Sequence, residues 1–362
     1  MFEIESEDRE ARTGVLRTPH GRIETPAFLP VATKGCVKTL SSGEVVKTKT
    51  QALIANAFLL YLKPGVEVIS RAGGLHAFMN WSKAIFTDSG GFQMLRESFL
   101  LGVSRRGIRF RSPYDNSRHL FTPEKCMEVQ GKLGSDVALA LDDLPAYGSS
   151  YERVAEAVAR TVDWARRCRE AREGMLFAIL QGGVYKELRR KCVEKLAGME
   201  FEGYGIGGLS IGEPKEATYR VIRETLPLLP GDKPRYLMGV GSPVEVLRAV
   251  ALGIDLFDSA FPTRNARHST AYTLKGKVNL SRGRYSADFS PISEGCGCYA
   301  CRNYSRAYIS HLLRVRETLG MKLVTMHNLY FIQELLRRAR EAIKKGEFQD
   351  FKAGVEGRYG SR

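Results

Sequence analysis

The chain has 362 residues, 43% of them hydrophobic and 26% charged, which is enough apolar surface for one large α/β domain with an appendage or for two medium domains. A formal net charge of +15 favours a polyanionic partner, nucleic acid before a membrane surface. No apolar run approaches the roughly 20 residues of a spanning helix, and the acidic start Met1-Phe2-Glu3-Ile4-Glu5 lacks a secretion-signal pattern, so a cytoplasmic protein is expected.

Residues 12–32 read as a hairpin region, with Thr18-Pro19-His20-Gly21 as turn chemistry between two β-like runs. The chain then becomes rhythmic. After an apolar run at 52–60, residues 84–87 lead into Asp88-Ser89-Gly90-Gly91-Phe92-Gln93, and 136–141 into Asp142-Asp143. Residues 176–180 lead into Gln181-Gly182-Gly183, and 204–206 into Gly207-Gly208-Leu209-Ser210-Ile211-Gly212. Residues 235–238 lead into Gly239-Val240-Gly241, and 254–257 into Asp258. Helices are predicted between them. Residues 151–172 place Val154, Val158, Val162, Ala165 and Cys168 on one helical face. Residues 185–197 form another, while 214–226 and 243–252 each begin with proline, which suits a first helical turn.

Strands alternating with helices imply right-handed βαβ units and a parallel sheet. Their number favours a closed (β/α)8 TIM barrel over an open doubly wound sheet, and no Gly-x-Gly-x-x-Gly follows the first strand. Every polar or glycine-rich element falls at the C-terminal end of its strand, where a barrel gathers them at one mouth. The expected organisation is a barrel with its N-terminal hairpin region at 1–285. A zinc-binding subdomain and closing helices at 303–319 and 327–345 fill 286–362.

Four cysteines are scattered, and three crowd together as Cys296, Cys298 and Cys301. This does not make a disulfide framework. Three thiolates with one imidazole make a closed, structural zinc site; His327 and His311 both qualify as the fourth ligand, and a reduced, metal-free turn is the plain alternative. Asp88, Asp142, Asp143 and Asp258 all follow β-like runs, so a barrel would turn several into one cavity. Two could divide nucleophile and general acid/base roles toward a sugar carbon. The rest, with Gln181 and the Gly207-Gly208 amides, complement the edge of guanine, and Phe92 and Met238 could cover its faces. The plain reading makes these acids helix caps or metal ligands. Behind Asp258, a proline-started loop carries Arg264 and Arg267, suited to phosphate by their planar forks. The other basic runs, Arg105-Arg106, Arg109, Arg111, 189–191 and 337–340, read as mostly solvated faces.

Together, Thr87-Asp88-Ser89-Gly90-Gly91-Phe92-Gln93, Gln181-Gly182-Gly183, Gly207-Gly208-Leu209, Tyr236-Leu237-Met238-Gly239-Val240-Gly241, Phe257-Asp258, Pro262-Thr263-Arg264-Asn265-Ala266-Arg267 and the Cys-x-Cys-x-x-Cys set with a histidine resemble the tRNA-guanine transglycosylase family, in its bacterial, queuine-type branch. The resemblance runs over nearly the whole chain. It implies an irregular (β/α)8 barrel with a zinc subdomain, acting on the wobble guanine (position 34) of tRNAs with GUN anticodons (Asp, Asn, His, Tyr) in queuosine biosynthesis. By resemblance, Asp258 attacks C1′ and forms a covalent tRNA adduct. Asp88 is the general acid/base toward guanine and an incoming 7-deazaguanine, preQ1 or queuine. Asp142, Gln181, Gly207, Gly208 and the Leu209 carbonyl read the base, while Ser89, Phe92, Met238 and Tyr236 line the pocket. Arg264 and Arg267 meet the anticodon stem-loop. Cys296, Cys298, Cys301 and His327 hold one structural Zn2+, the enzyme works as a homodimer, and no organic cofactor is needed.

The chain departs from the family's common bacterial pattern at two places. Leu144 stands where many members have cysteine, and Ser210-Ile211 replaces Ala-Val. Eukaryotic-like members that take the bulkier queuine have glycine at the Ile211 position, so the bulk of Ile211 points to preQ1, while Leu144 points the other way. The rival functions are a non-catalytic tRNA-binding partner subunit, against which two positioned acids argue, and a transglycosylase of another position. A metal-dependent barrel hydrolase finds no His-x-His among the six histidines.

Overall fold

A computed structural model describes residues 1–91 and 99–360. Eight strands form one parallel sheet: β1 (Ala27–Pro30), β2 (Ala52–Asn56), β3 (Ala84–Asp88), β4 (Val137–Leu139), β5 (Leu176–Leu180), β6 (Gly203–Ile206), β7 (Arg235–Leu237) and β8 (Leu256–Ser259). Each strand from β3 to β8 pairs with its predecessor, and β8 pairs with β1. The ring closes between β1 and β2 through a Val31–Ile54 bridge, where Ala32 N donates to Ile54 O at 2.7 Å. The fold is the expected (β/α)8 barrel.

Strand residues alternate between two cores, as a period of two requires. Leu29, Ile54, Phe86, Leu139, Phe177, Ile179, Tyr236 and Leu256 fill the barrel interior. The Phe86 and Phe177 rings meet edge to face at 5.8 Å. The residues between them, such as Phe28, Leu53, Ile85 and Phe257, pack outward against the helices. The predicted helices are present as Tyr151–Glu170, Lys186–Ala197, Lys215–Thr225 and Pro243–Val250. The predicted hairpin is part of a three-stranded antiparallel sheet, Phe2–Asp8, Ala11–Thr18 and Gly21–Thr25. It is fastened to the N-terminal ends of the barrel strands by Arg12, which makes a two-pronged pair with Asp255 at 2.6 and 2.9 Å.

The irregularity lies between β3 and β4, where a second antiparallel sheet (Leu100–Ser104, Gly107–Arg111, Arg118–Phe121) precedes the helix Pro123–Lys132. Three sequence expectations change. The loop carrying Arg264 and Arg267 is a short helix, Phe261–Arg267, with Pro262 in its first turn, where its missing N–H is harmless. The helix expected at 303–319 is split: Tyr304 is extended, and Ser305 caps a separate helix Arg306–Arg314 by accepting from Tyr308 N. The last helix expected from 327 begins nine residues earlier, as Thr318–Lys345, followed by Phe348–Gly360.

That long helix ties the parts together. His327 belongs to it, and the next residue, Asn328, donates to Pro262 O at 3.0 Å and Thr270 O at 2.9 Å and accepts from Tyr272 N at 3.0 Å. Further along the helix, Gln333 donates to Phe28 O in β1 at 2.9 Å. Among the described residues no helix is long and apolar enough to cross a membrane.

Candidate active site and metal centre

The C-terminal ends of the barrel strands open into a cavity of about 730 Å³. Asp88, Ser89, Asp142, Gln181, Gly207, Gly208, Leu209, Met238, Asp258, Arg264 and Arg267 all line it, as do Leu144 and Ile211. Phe92 lies outside the described residues. Tyr236, expected to line the pocket, is instead fully buried and touches the site only through Asp258, to whose Oδ1 its hydroxyl donates at 2.6 Å. Asp143 belongs elsewhere, contrary to its grouping with the mouth acids. In extended backbone adjacent side chains point to opposite sides; Asp143 turns into the protein and is clamped by Arg153 (2.6 and 2.9 Å) and Arg160 (2.6 Å).

Three carboxylates, each partly buried, therefore share one cavity. Burial is the leading cause of a raised pKa in each. It pushes Asp88 up to about 7, helped by the Asp258 charge and opposed by the hydrogen bond from Asn56 Nδ2 at 2.8 Å. Asp142 rises to about 6 by burial, opposed by Gln181 Nε2, which donates to its Oδ2 at 2.6 Å. Burial also raises Asp258, while Tyr236 and the Gly239 N–H (3.2 Å) hold it back. Both of these donors engage Oδ1, and Oδ2 has no hydrogen-bond partner among the described residues.

The donors and acceptors for a base are built from backbone as much as from side chains. Gln181 Oε1 is buried without a partner, an acceptor held ready beside the Asp142 carboxylate. Gly208 adopts φ +68°, and a Cβ there would stand 2.6 Å from that oxygen, so only glycine fits beside it. Glu213 accepts from Ser210 N (2.5 Å), Ile211 N (3.0 Å) and Thr218 Oγ1 (2.6 Å), fixing the turn after Leu209. At the rim, Arg264 and Arg267 have no carboxylate partner among the described residues, and Arg267 Nη1 is buried without any hydrogen bond.

Three polar side chains of this site were not singled out by the sequence reading. Asn56 ends β2 in register with Asp88 at the end of β3, so the strand-end rule that selects the acids also selects it. Glu213 carries no such signal. Arg189, read as part of a solvated run, is 2% exposed, as its spacing from Cys192, Val193 and Leu196 on the apolar helix face allows one to see. Arg340, in another such run, is also largely covered and donates to Pro26 O at 2.9 Å.

Cys296, Cys298, Cys301 and His327 converge, their ligand atoms all within 4.8 Å of one another. His327 Nδ1 lies 3.3–3.8 Å from the three sulfurs, while Nε2 donates to Tyr272 O at 2.6 Å, leaving Nδ1 as the ligand nitrogen. A set of three thiols and one oriented imidazole fits a tetrahedral metal, and it excludes His311 from the cluster.

The family described as queuine tRNA-ribosyltransferase matches residues 7–361. Curated relatives named queuine tRNA-ribosyltransferase include one from Pelotomaculum thermopropionicum, 50% identical over 349 residues, covering 96% of this chain and 94% of the relative. One from Thermoanaerobacter pseudethanolicus is 47% identical over 354 residues, covering 97% and 94%. A third, from Fusobacterium nucleatum, is 46% identical over 364 residues, covering 99% and 98%. Matched end to end by these relatives, and with the cavity and the cysteine cluster the motifs call for, the chain belongs to the queuine tRNA-ribosyltransferase family, enzymes of the pentosyltransferase class.

Proposed function

We propose that this protein exchanges guanine at the wobble position of tRNAs with GUN anticodons for a 7-deazaguanine, through a covalent Asp258–ribose adduct. The observation that carries the reading is the pair Asp88 and Asp258 in one cavity beside an unsatisfied base-reading acceptor. Asp258 Oδ2 attacks C1′ as the C1′–N9 bond breaks, while Tyr236 and Gly239 hold Oδ1 and orient the carboxylate. Asp88, with its pKa near neutrality, gives its proton to the departing guanine and then takes one from the incoming base, which attacks C1′ and releases Asp258.

Asp142 and Gln181 Oε1 accept from the N–H groups of the base edge, while the Gly207 and Gly208 backbone and the Leu209 carbonyl complete the frame. Ser89 and Met238 line the pocket around the base, and the family resemblance gives Phe92 a place beside them. Arg264 and Arg267 take backbone phosphates of the anticodon loop. Cys296, Cys298, Cys301 and His327 would hold one Zn2+, which with four protein ligands would supply folding free energy and no chemistry. The protein acts in the cytoplasm as a homodimer. Ile211 lines the cavity, and its bulk favours preQ1 over a base that carries a cyclopentenyl substituent. Ile211→Gly should admit labelled queuine; uptake by the unaltered protein would overturn that preference.

The test is exchange of radiolabelled guanine into unmodified tRNA-Tyr, with a denaturing gel for the trapped adduct. Exchange is expected with an adduct in the unaltered protein and none in Asp258→Ala. An adduct that persists in the variant moves the nucleophile elsewhere, and absence of exchange despite bound tRNA favours a partner subunit.

A further inference from the structure

We propose that Arg189 is a positioning residue for base recognition, a buried guanidinium that holds the backbone after β5 and after β6 in the frame presenting Gln181 and Gly208 to the base. The role in recognition rests on the base-exchange reading; the brace itself is a matter of geometry.

Arg189 lies on the helix Lys186–Ala197, behind the cavity wall. Its Nη1 donates to Leu180 O at 2.9 Å, its Nε to Gly183 O at 2.9 Å and its Nη2 to Gly207 O at 2.8 Å. The first two carbonyls bracket Gln181. The third belongs to the residue before Gly208. Gly207 N also donates to Leu180 O at 3.0 Å, so the two loops and the guanidinium close a ring of hydrogen bonds. Cys192, one turn along the same helix, accepts from Gln181 N at 3.4 Å. The base-reading backbone is thus registered against this helix by the Arg189 fork and the Cys192 sulfur together.

The group's chemistry argues that it is there to hold these carbonyls. Among the described residues no carboxylate pairs with Arg189, and burial pushes its pKa down to about 10. A leucine or methionine on the same apolar face would pack without desolvating a charge. Only a planar fork reaches three carbonyls that belong to two loops; an ammonium is a point donor on a flexible stem. Gly182, Gly183 and Gly208 all sit at positive φ and have no side chains to pack, so these stretches depend on hydrogen bonds to their backbone.

The experiment compares Arg189→Lys and Arg189→Ala with Arg190→Ala, a control on the exposed face of the same helix that pairs with Glu194. Guanine-exchange kinetics are measured with base and tRNA varied separately, and Arg189→Ala is assayed with added guanidinium or methylammonium. The expected result is a KM for guanine raised about tenfold or more, with KM for tRNA within about twofold, in both Arg189 variants. Guanidinium, but not methylammonium, lowers the raised KM of Arg189→Ala. In the ligand-free state, amide hydrogen exchange at 181–183 and 207–208 speeds up in Arg189→Lys and not in Arg190→Ala.

An unchanged KM for guanine in folded Arg189→Lys overturns the proposal, as does a parallel rise in both KM values. The hydrogen-exchange arm needs no activity: if the unaltered protein fails to exchange guanine, the base-exchange reading falls, while unaltered amide exchange in Arg189→Lys separately refutes the brace. If Arg189→Ala does not fold, Arg189→Lys carries both arms.

Discussion

Replacing Asn56 by leucine tests the acid/base assignment through its electrostatics. Asn56 Nδ2 donates to Asp88 Oδ1 at 2.8 Å, the leading interaction that favours the charged carboxylate against burial and the Asp258 charge. A hydrogen bond to a charged group contributes about 1.5–3 kcal/mol, so its loss should raise the Asp88 pKa from about 7 by a further ~1–2 units. The two half-reactions then respond in a defined sense. Adduct formation uses the protonated acid, and its rate falls as pH rises through the Asp88 pKa. Capture of the incoming base uses the carboxylate, and its rate rises through the Asp88 pKa of the adduct, which lies lower because the Asp258 charge is lost in the ester. Both inflections move to higher pH in Asn56→Leu. Rapid-quench trapping measures formation and a chase with labelled base measures resolution, each from about pH 5 to about pH 9. Asn56 Oδ1 also caps the helix Ala57–Leu60 by accepting from Leu59 N, so the variant loses about 0.5–2 kcal/mol of stability and is assayed well below its melting temperature. Inflections that stay in place in the folded variant refute the assignment of Asp88 as the titrating group.

The remaining predictions concern stability and metal. Asp88 and Asp142 hold protons to about 7 and about 6 in the folded state against an ordinary value of 3.8, so stability falls as pH rises through that window. Asp88→Asn should therefore melt above the unaltered protein at about pH 8 and level with it at about pH 4 by calorimetry; a pH-independent difference contradicts this. Arg12→Met strands the fully buried Asp255 and should cost ~3–5 kcal/mol in urea unfolding, much of it regained in Arg12→Met/Asp255→Leu; a double variant no more stable than the single one sinks the argument. Cys301→Ser should take zinc from one per chain to near none by emission spectroscopy and lower the melting temperature. Full zinc content in that variant removes Cys301 from the ligand set.

The barrel and its mouth were legible because a parallel strand buried on both faces reads as a short apolar run, and the residues just after it stand at the C-terminal end. That rule found Asp88, Asp142, Gln181 and Asp258. It also gathered Asp143, because one-residue alternation is invisible without knowing which neighbour faces in. The antiparallel sheet over Leu100–Ser104, Gly107–Arg111 and Arg118–Phe121 was missed because its strands are only four or five residues long and their burial follows no clean alternation. The split near Ser305 was missed because apolar periodicity runs on across a cap. Arg189 shows the opposite failure: its charge suggested solvent, while its helical position already placed it in the core.

The helix Thr318–Lys345 has a consequence for how this chain can be taken apart. It carries His327 of the cysteine cluster, Asn328 that pins the segment bearing the rim arginines, and Gln333 that reaches the first barrel strand. Cutting the chain near residue 286 would therefore part the barrel from a helix it shares with the cysteine cluster, and the cluster could not be grafted onto another barrel, or deleted from this one, as a portable module. Fragment complementation, circular permutation or domain exchange has to keep this helix whole and with the barrel.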